Sequence, residues 1–552
     1  METKKEYLAE LQGKKILYLC MEMLMPELSS SARAANFKGG LGILAGDTME
    51  GLKAAGLDVT AIIPLYKYEW IQEIKDGGQD IKTREVNYAN EPVQEVRDPE
   101  GNLLTLDIEF EGTQYPVHVY EMSRAGVPVY LLRNGEVFDV LYTGDRKQRL
   151  RQEVVIGKAV PALLEALDIK IDILHLNEAH TIAAACFLKE QERYSRIPVL
   201  FTTHTPVPAG MEKYDRNWFK SMGIDEKYRP LFEKGEVIDF TKAALELSSL
   251  TNGVSAEHAE VTKNMFLPRR SKIIGITNGS SLKWQAEGIT PDITADKLWE
   301  IHQDYKRRAL EDASWRAREF LGIDPEYDMN KPIAGMFRRL AGYKQQYPML
   351  KDIISAVCGD RGKKYHTPLG ELDGLGIQLF AGGFAHPRDD ERKEWVRRFI
   401  EWTLSGELTG RFTFLPGYGM RMLAHGARGY DFWLSTPLKD MEACGTSDQR
   451  AALNGNINIS SFTGGAREYL TEINTETLEG SAFFIDPYGP GTLYRKLEEA
   501  SRLYYECIEG RNDNYKKIML NSLRAALNMN AEDMAERYAR DFYIPALELA
   551  GE

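Results

Sequence analysis

The stretch Pro332-Ile333-Ala334-Gly335-Met336-Phe337-Arg338-Arg339-Leu340-Ala341-Gly342-Tyr343-Lys344 decides the architecture. An apolar run of strand length ends in two arginines and a glycine-containing turn, and a helix is expected from Lys344 to Val357. This unit restarts, in mid-chain, a rhythm that has already run once. In the first half a buried strand Lys15–Cys20 leads through Lys38-Gly39-Gly40-Leu41-Gly42 into a helix over Ile43–Ala55, and a strand follows at Asp58–Pro64. Helices near Leu150–Leu167 and Ala179–Arg193 then alternate with strands at Ile171–Leu176, Pro198–Thr203 and Lys272–Thr277. The second half continues with strands Gly376–Ala381, Phe412–Leu415 and Asp431–Ser435, and with a helix Asp389–Leu404. Alternation of this kind marks α/β units with parallel sheets. Two such runs predict two Rossmann-like doubly wound domains facing a cleft, with ligands at the carboxyl ends of the strands.

The expected boundaries follow. Residues 1–290 form an N-terminal Rossmann-like domain with a β-rich insertion near 66–133, where the period shifts toward two. Residues 291–330 form a helical connection, 331–490 a C-terminal Rossmann-like domain, and 491–552 a set of C-terminal helices. A chain of 552 residues exceeds the ~250–300 residues at which one core stops growing.

A net charge of −13 argues against a general nucleic-acid or anionic-membrane binder. Cys20, Cys186, Cys358, Cys444 and Cys507 lack C-x-x-C spacing, which fits a reducing, cytoplasmic setting and gives no zinc signature. No apolar run reaches the ~18 residues of a membrane span, and Met1–Lys15 is charged, without a secretory core.

Several segments bear chemistry. The glycines at 39, 40 and 42 let backbone N–H groups approach an anion at a helix start, or simply make a tight turn; Lys38 adds a cation. Asn177, at the end of a strand, either caps the following helix or contacts a ligand, and no third residue gives the neighbouring histidines a zinc-like set. Arg339 and Lys344 can hold a phosphoryl group and stabilise charge on a departing oxygen. Glu442 can accept hydrogen bonds from ring hydroxyls, and Gly445 and Thr446 offer close donors to phosphate.

The run Glu442-Ala443-Cys444-Gly445-Thr446-Ser447-Asp448-Gln449-Arg450 resembles the E-A-S-G-T-(S/G)-x-M-K segment of the glycogen and α-glucan phosphorylases. Phe201-Thr202-Thr203-His204-Thr205-Pro206-Val207-Pro208-Ala209-Gly210 matches the same family, and His175-Leu176-Asn177-Glu178-Ala179-His180 and Leu415-Pro416-Gly417-Tyr418-Gly419-Met420 are similar to its segments. The resemblance, from about Gly39 to Gly465, implies the GT-B glycosyltransferase fold and retaining transfer of an α-glucosyl unit. It implies catalytic roles for His204, Arg339, Lys344 and Glu442. It places Lys38, Gly39, Gly40, Gly42, Asn177, Tyr418, Cys444, Gly445 and Thr446 against substrate or phosphate.

The chain departs from the family at one position. Where the family's lysine holds pyridoxal phosphate as a Schiff base, Arg450 stands, and a guanidinium stays protonated. No covalent pyridoxal phosphate is therefore expected. A non-covalent one remains conceivable, and no metal is implied. The preferred expectation is a glycogen-synthase-like hexosyltransferase using a nucleotide-sugar donor on an α-glucan or related acceptor. Two alternatives stand beside it: an α-glucan phosphorylase with non-covalent pyridoxal phosphate, and a non-catalytic glycan or phosphosugar-binding protein. The expected partners are a sugar or glucan acceptor and a phosphorylated sugar donor, with no nucleic acid and no membrane; a homo-oligomer is compatible.

Overall fold

The computed structural model describes residues 2–204 and 211–551. The chain divides into two compact units, the first comprising Met1–Trp70, Thr83–Ser281 and Ala531–Glu552, the second Ile71–Lys82 and Leu282–Asn530.

Among the described residues the first unit has a sheet of ten strands. Seven run parallel, in the order Ile273–Gly275, Leu250–Gly253, Val199–Thr203, Ile173–Asn177, Lys15–Leu19, Asp58–Pro64 and Val127–Arg133. Thr113–Arg124 adds antiparallel to the last of these and pairs in turn with Gln94–Glu95 and Thr105–Phe110. Burial explains both patterns. Ile173–Asn177 and Val199–Thr203 are buried at every residue, as strands covered on both faces must be. Thr105–Phe110 alternates exposed and buried, as a strand with one wet face does.

The second unit carries a six-stranded, all-parallel sheet. Its order is Phe412–Leu415, Gln378–Gly382, Ile333–Phe337, Phe432–Ser435, Ile457–Ser460 and Ala482–Phe484. In chain order this is third, second, first, fourth, fifth, sixth, the doubly wound arrangement. The winding reverses between Ile333–Phe337 and Phe432–Ser435, and in the first unit between Lys15–Leu19 and Ile173–Asn177. Crossovers leave these two neighbouring strands in opposite directions, so their carboxyl ends are uncovered and can receive a ligand.

Three details differ from the sequence reading, and a fourth accords with the resemblance, in which C-terminal helices can cross back to the first domain. The helix expected over Lys344–Val357 is broken into Gln346–Leu350 and Ile354–Val357. Gln345 takes a left-handed φ of 53°, which ends the 3-10 turn Gly342–Lys344, and Pro348 lies early in the short helix that follows. The segment expected as a connection is one helix, Ala295–Leu321, lying wholly within the second unit. It starts on Thr294, which accepts from Lys297 N, and stops at Gly322 with φ 67°. The hairpin Tyr68–Lys75/Gly78–Glu85 lends its tip, Ile71–Lys82, to the second unit. There Gln72 donates to Gly383 O (2.9 Å) and accepts from Gly417 N (3.0 Å), tying two loops at the sheet's carboxyl edge. Finally, the terminal helices divide at Ala531: the last of them joins the first unit, where Tyr543 meets His175.

Candidate active site

In the second unit a charged cluster forms where the winding reverses. Ile333–Phe337 ends and delivers Arg338, whose backbone N–H still pairs with Gly382 O, so its side chain keeps the strand's alternation and turns inward. The guanidinium, 5% exposed, donates to Ser435 Oγ and, at 3.0 Å, to Ser447 Oγ. It lies 3.5 Å from Glu442 and 3.8 Å from Asp448. Lys344 reaches the same carboxylate, Nζ to Glu442 Oε2 at 3.1 Å. The turn carrying Lys344 is fastened from below: Leu438 N donates to Tyr343 O at 2.8 Å and Thr436 Oγ1 to Lys344 O at 2.9 Å. Arg339, whose spacing to Lys344 singled it out, is exposed; its charge still contributes to the field at Glu442 and Tyr418.

The electrostatics separate the two acids. Burial pushes Glu442 toward its neutral form, but Lys344, Arg338 and Arg339 outweigh it and hold the carboxyl below its ordinary range. Burial raises Asp448, and Arg338 offsets that only in part. Glu442 is thus an anion at neutral pH, poised to accept from hydroxyls. Buried Arg338 Nε has no hydrogen-bond partner among the described residues, and Arg338 Nη1, Glu442 Oε2 and Asp448 Oδ1 are held only by ion pairs that lack hydrogen-bond geometry. Hydrogen-bonding capacity left unused at one spot suits a ligand that both donates and accepts.

Gly445 stands in the middle. A Cβ there would come within 3.0 Å of Asp448 Oδ1 and 3.4 Å of Arg338 Nη2, so only glycine lets these charges close around the backbone. Thr446, buried, accepts from Arg450 Nη1 at 2.7 Å, and the Arg450 guanidinium lies 4.8 Å from the ring centre of Trp284. Cys444 is half-buried and reduced, and Tyr418, also half-buried, packs at 6.4 Å from Phe384.

The first unit has its own polar group at its own reversal point. Ile173–Asn177 ends in Asn177, and His204 follows Val199–Thr203. His204 Nε2 meets Asn177 Oδ1 at 2.6 Å, which fixes the ring with its proton on Nε2. His204 N donates to Glu178 Oε2 at 2.8 Å. The cap of the turn at Ala179–Thr181 is therefore Glu178 and not Asn177, and Glu178 takes a left-handed φ of 73° to do it. Burial, then the neighbouring histidines, drives His204 down to about 3, so this half-buried ring is neutral at neutral pH. The remaining residues of its motif, 205–210, lie outside the described residues.

His175 and His180 have other tasks. His175 bonds Tyr543 OH (2.9 Å) and Thr202 Oγ1 (2.7 Å) inside an aromatic cage. His180 faces Glu153 at 3.3 Å and Glu212 at 3.8 Å, a trio of possible ligands. Arg149 already pairs with Glu212 at 2.6 Å there, so a cation is not needed.

The glycine loop follows the short helix Ser30–Asn36, which intervenes after Lys15–Leu19, and opens the helix Gly40–Ala54. A Cβ on Gly40 would meet open space, whereas one on Gly42 would strike Glu22 Oε2 and Phe37 Cβ at 2.7 Å. Gly39 is the extended N-cap. Lys38 is buried, donates Nζ to Ala34 O at 2.6 Å, and is lowered by burial to about 8 despite Glu69 and Glu22.

Arg338, Asp448, Glu178 and Trp284 were not marked by the sequence.

Two doubly wound parallel units, each with a polar cluster at its winding reversal, make up the GT-B fold. Residues 15–267 match the family model described as the starch synthase catalytic domain. A maltodextrin phosphorylase of Thermococcus litoralis is 29% identical, covering 96% of this chain and 71% of its own length. A glycogen synthase of Kosmotoga olearia is 22% identical over 91% of this chain and 93% of its own. The solved catalytic domain of starch synthase IV from Arabidopsis thaliana, bound to ADP and acarbose, shares the fold. Its TM-score is 0.73 at 16% identity, covering 97% of this chain and 100% of that one. The chain has the GT-B fold and is similar over most of its length to both glycogen phosphorylases and glycogen synthases. Among the described residues no helix is long and apolar enough to cross a membrane.

Proposed function

We propose that the protein is a retaining hexosyltransferase that moves a sugar from a nucleotide-sugar donor to an α-glucan or related acceptor. The observation that carries this reading is the buried group Arg338, Lys344 and Glu442 around Gly445, whose ion pairs leave hydrogen-bonding capacity unused. In this reading the cations receive the donor's diphosphate and stabilise charge on the departing oxygen. Glu442 accepts from the hydroxyls of the transferred sugar; in the first unit, neutral His204, held by Asn177, offers an oriented ring that can bond a sugar hydroxyl. The solved starch synthase relative, which binds ADP and acarbose, supports a donor and an acceptor of this kind.

Arg450 supports a nucleotide sugar over a phosphorylase cofactor. Its guanidinium offers no amine to an aldehyde, and it is engaged with Thr446 and Trp284. Asp448 adds a carboxyl beside Arg338, where a cofactor phosphate would want a cation unshared. Position 450 and its surroundings thus do not fit covalently held pyridoxal phosphate.

The test is a product assay. The protein is incubated with maltooligosaccharide and UDP-glucose, ADP-glucose or glucose 1-phosphate, and release of nucleoside diphosphate and orthophosphate is followed. Diphosphate release with chain extension is expected. Orthophosphate release from glucose 1-phosphate, or a pyridoxal absorbance whose removal abolishes turnover, establishes the phosphorylase instead. Stabilisation by glucan with no turnover of any donor establishes a binding protein.

A further inference from the structure

A cavity of about 490 Å³ opens in the first unit, within the ~300–1,000 Å³ range of small-ligand sites. None of its lining residues belongs to the clusters around Glu442 or His204. It forms where the sheet turns antiparallel. Register puts Glu95 opposite Tyr120, and Tyr120 opposite Leu131; Arg133, two residues beyond Leu131, shares their face. The segment after the hairpin, with Glu85, Asn87 and Tyr88, closes the other side.

The site is built. Tyr88 is buried, and its hydroxyl donates to Tyr66 O at 2.7 Å and accepts from Asn36 Nδ2 at 2.9 Å, so the ring cannot turn. Arg133 lies over that ring, 5.2 Å from its centre. Among the described residues its guanidinium has no ion pair or hydrogen-bond acceptor, which leaves five donors to the cavity it lines. Glu85 and Glu95 bring acceptors, and each carboxylate already has a cation beside it, Lys67 at 3.9 Å and Arg97 at 2.6 Å. Leu65, Val86 and Val93 supply apolar surface.

From this cavity we infer that the protein has a second carbohydrate site, which binds a short stretch of neutral α-glucan. A pyranose has an apolar C–H face and a rim of hydroxyls that both donate and accept. Here an aromatic wall at Tyr120 and aliphatic surface meet the face, while Arg133, Asn87 and the two carboxylates meet the rim. An anion on Arg133 would share the cavity with two carboxylates, a contact that a neutral sugar avoids. Such a site holds a polymeric acceptor by a second point, raising its effective concentration at the transferring residues. The inference deepens the proposed function and rests on its acceptor class.

Native electrophoresis of the full chain through gels with and without soluble glycogen tests it, beside transfer to maltotriose as a short acceptor. Arg133→Ala removes a guanidinium with no ion pair or hydrogen-bond acceptor among the described residues, and Asn87→Ala, at an exposed position, serves as an independent variant. Each is expected to weaken retention about fivefold, the loss of one or two hydrogen bonds, while the rate on maltotriose stays that of the parent. Unchanged retention in both variants overturns the inference and leaves the proposed function standing. So does retention abolished by millimolar inorganic phosphate in the parent, which makes the cavity an anion site. A parent that neither binds glycogen nor extends maltotriose overturns both.

Discussion

The ammonium of Lys344 lies 3.1 Å from the carboxylate of Glu442, and both side chains are mostly buried. The pair joins the turn after the first strand of the second unit to the loop after the fourth. Lys344→Ala leaves Glu442 with Arg338 alone at 3.5 Å. Stranding a buried charge costs about 3 kcal/mol, read as a lower urea midpoint at unchanged m-value. Glu442→Gln relieves that charge, so the double variant should regain much of the stability. Its transfer activity should stay at least ~100-fold down, because the acceptor for the sugar hydroxyls is gone. A double variant as unstable as Lys344→Ala would show that the lysine acts on something other than Glu442.

Arg450 makes a different kind of contact, a 2.7 Å hydrogen bond to Thr446 and a face contact with Trp284. Arg450→Lys keeps the charge but loses the planar fork. It should lower stability by about 1 kcal/mol and leave donor use unchanged in kind. Thermal unfolding and the product assay measure both. A switch to glucose 1-phosphate in this variant alone, in the presence of pyridoxal phosphate, would mean that residue 450 by itself selects the donor.

Much of this was legible before any coordinates. Strands such as Asp58–Pro64 and Phe412–Leu415 were bounded as found, because continuous apolar runs between turns have one physical outcome when both faces are covered. The short strands Leu250–Gly253, Ile457–Ser460 and Ala482–Phe484 were not, since the first two interleave polar residues with apolar ones and the third has only three residues to show a period. The break at Gln345 was invisible for a related reason: a left-handed glutamine has no compositional mark, unlike a glycine. At the candidate site, spacing pointed to Arg339 and Lys344 and the family resemblance to Glu442, whereas Arg338 is the arginine that lies against Glu442, because spacing counts residues and ignores which face each occupies. Asp448 and Trp284 reach the cluster only through tertiary approach, which no local pattern encodes.

The buried ring of His175 titrates against folding. Burial pushes it down to about 3, whereas in the unfolded chain it takes up a proton near its ordinary value of ~6.5. Between those two values the unfolded state binds the extra proton, so this histidine's contribution is full above ~6.5 and falls as the pH drops toward 3. Its share of the slope is roughly 1.4 kcal/mol per pH unit. His175→Asn lowers stability overall by loosening Tyr543 and Thr202, yet it should flatten the dependence between about pH 4 and 6 by that share. Urea titrations across the range read the slope. An unaltered slope would mean that His175 is already able to protonate in the native state.

Asp431 lies at the opposite end of the strand Phe432–Ser435 from Glu442 and is fully buried with Lys306, 2.8 Å away, and His302, at 3.0 Å. It also accepts from Ile333 N at 2.7 Å, while Lys306 donates to Lys331 O and to Tyr504 OH. This network fastens the helix Ala295–Leu321 to the start of two central strands, so its work is structural. Lys306→Met removes the cation and strands the carboxylate, at a cost of about 3–5 kcal/mol. Asp431→Asn keeps a hydrogen-bond acceptor for Ile333 N but leaves Lys306 uncompensated, and should be similarly damaging. Together the two changes should cost clearly less than the sum of each alone, since neither charge then remains unpaired. Whatever fraction folds should turn over donor at the parental rate per native molecule, because no group of this network reaches the carboxyl ends of the strands. Additive losses in the cycle, or a lowered rate in the folded fraction, would show that the network does more than hold the helix in place.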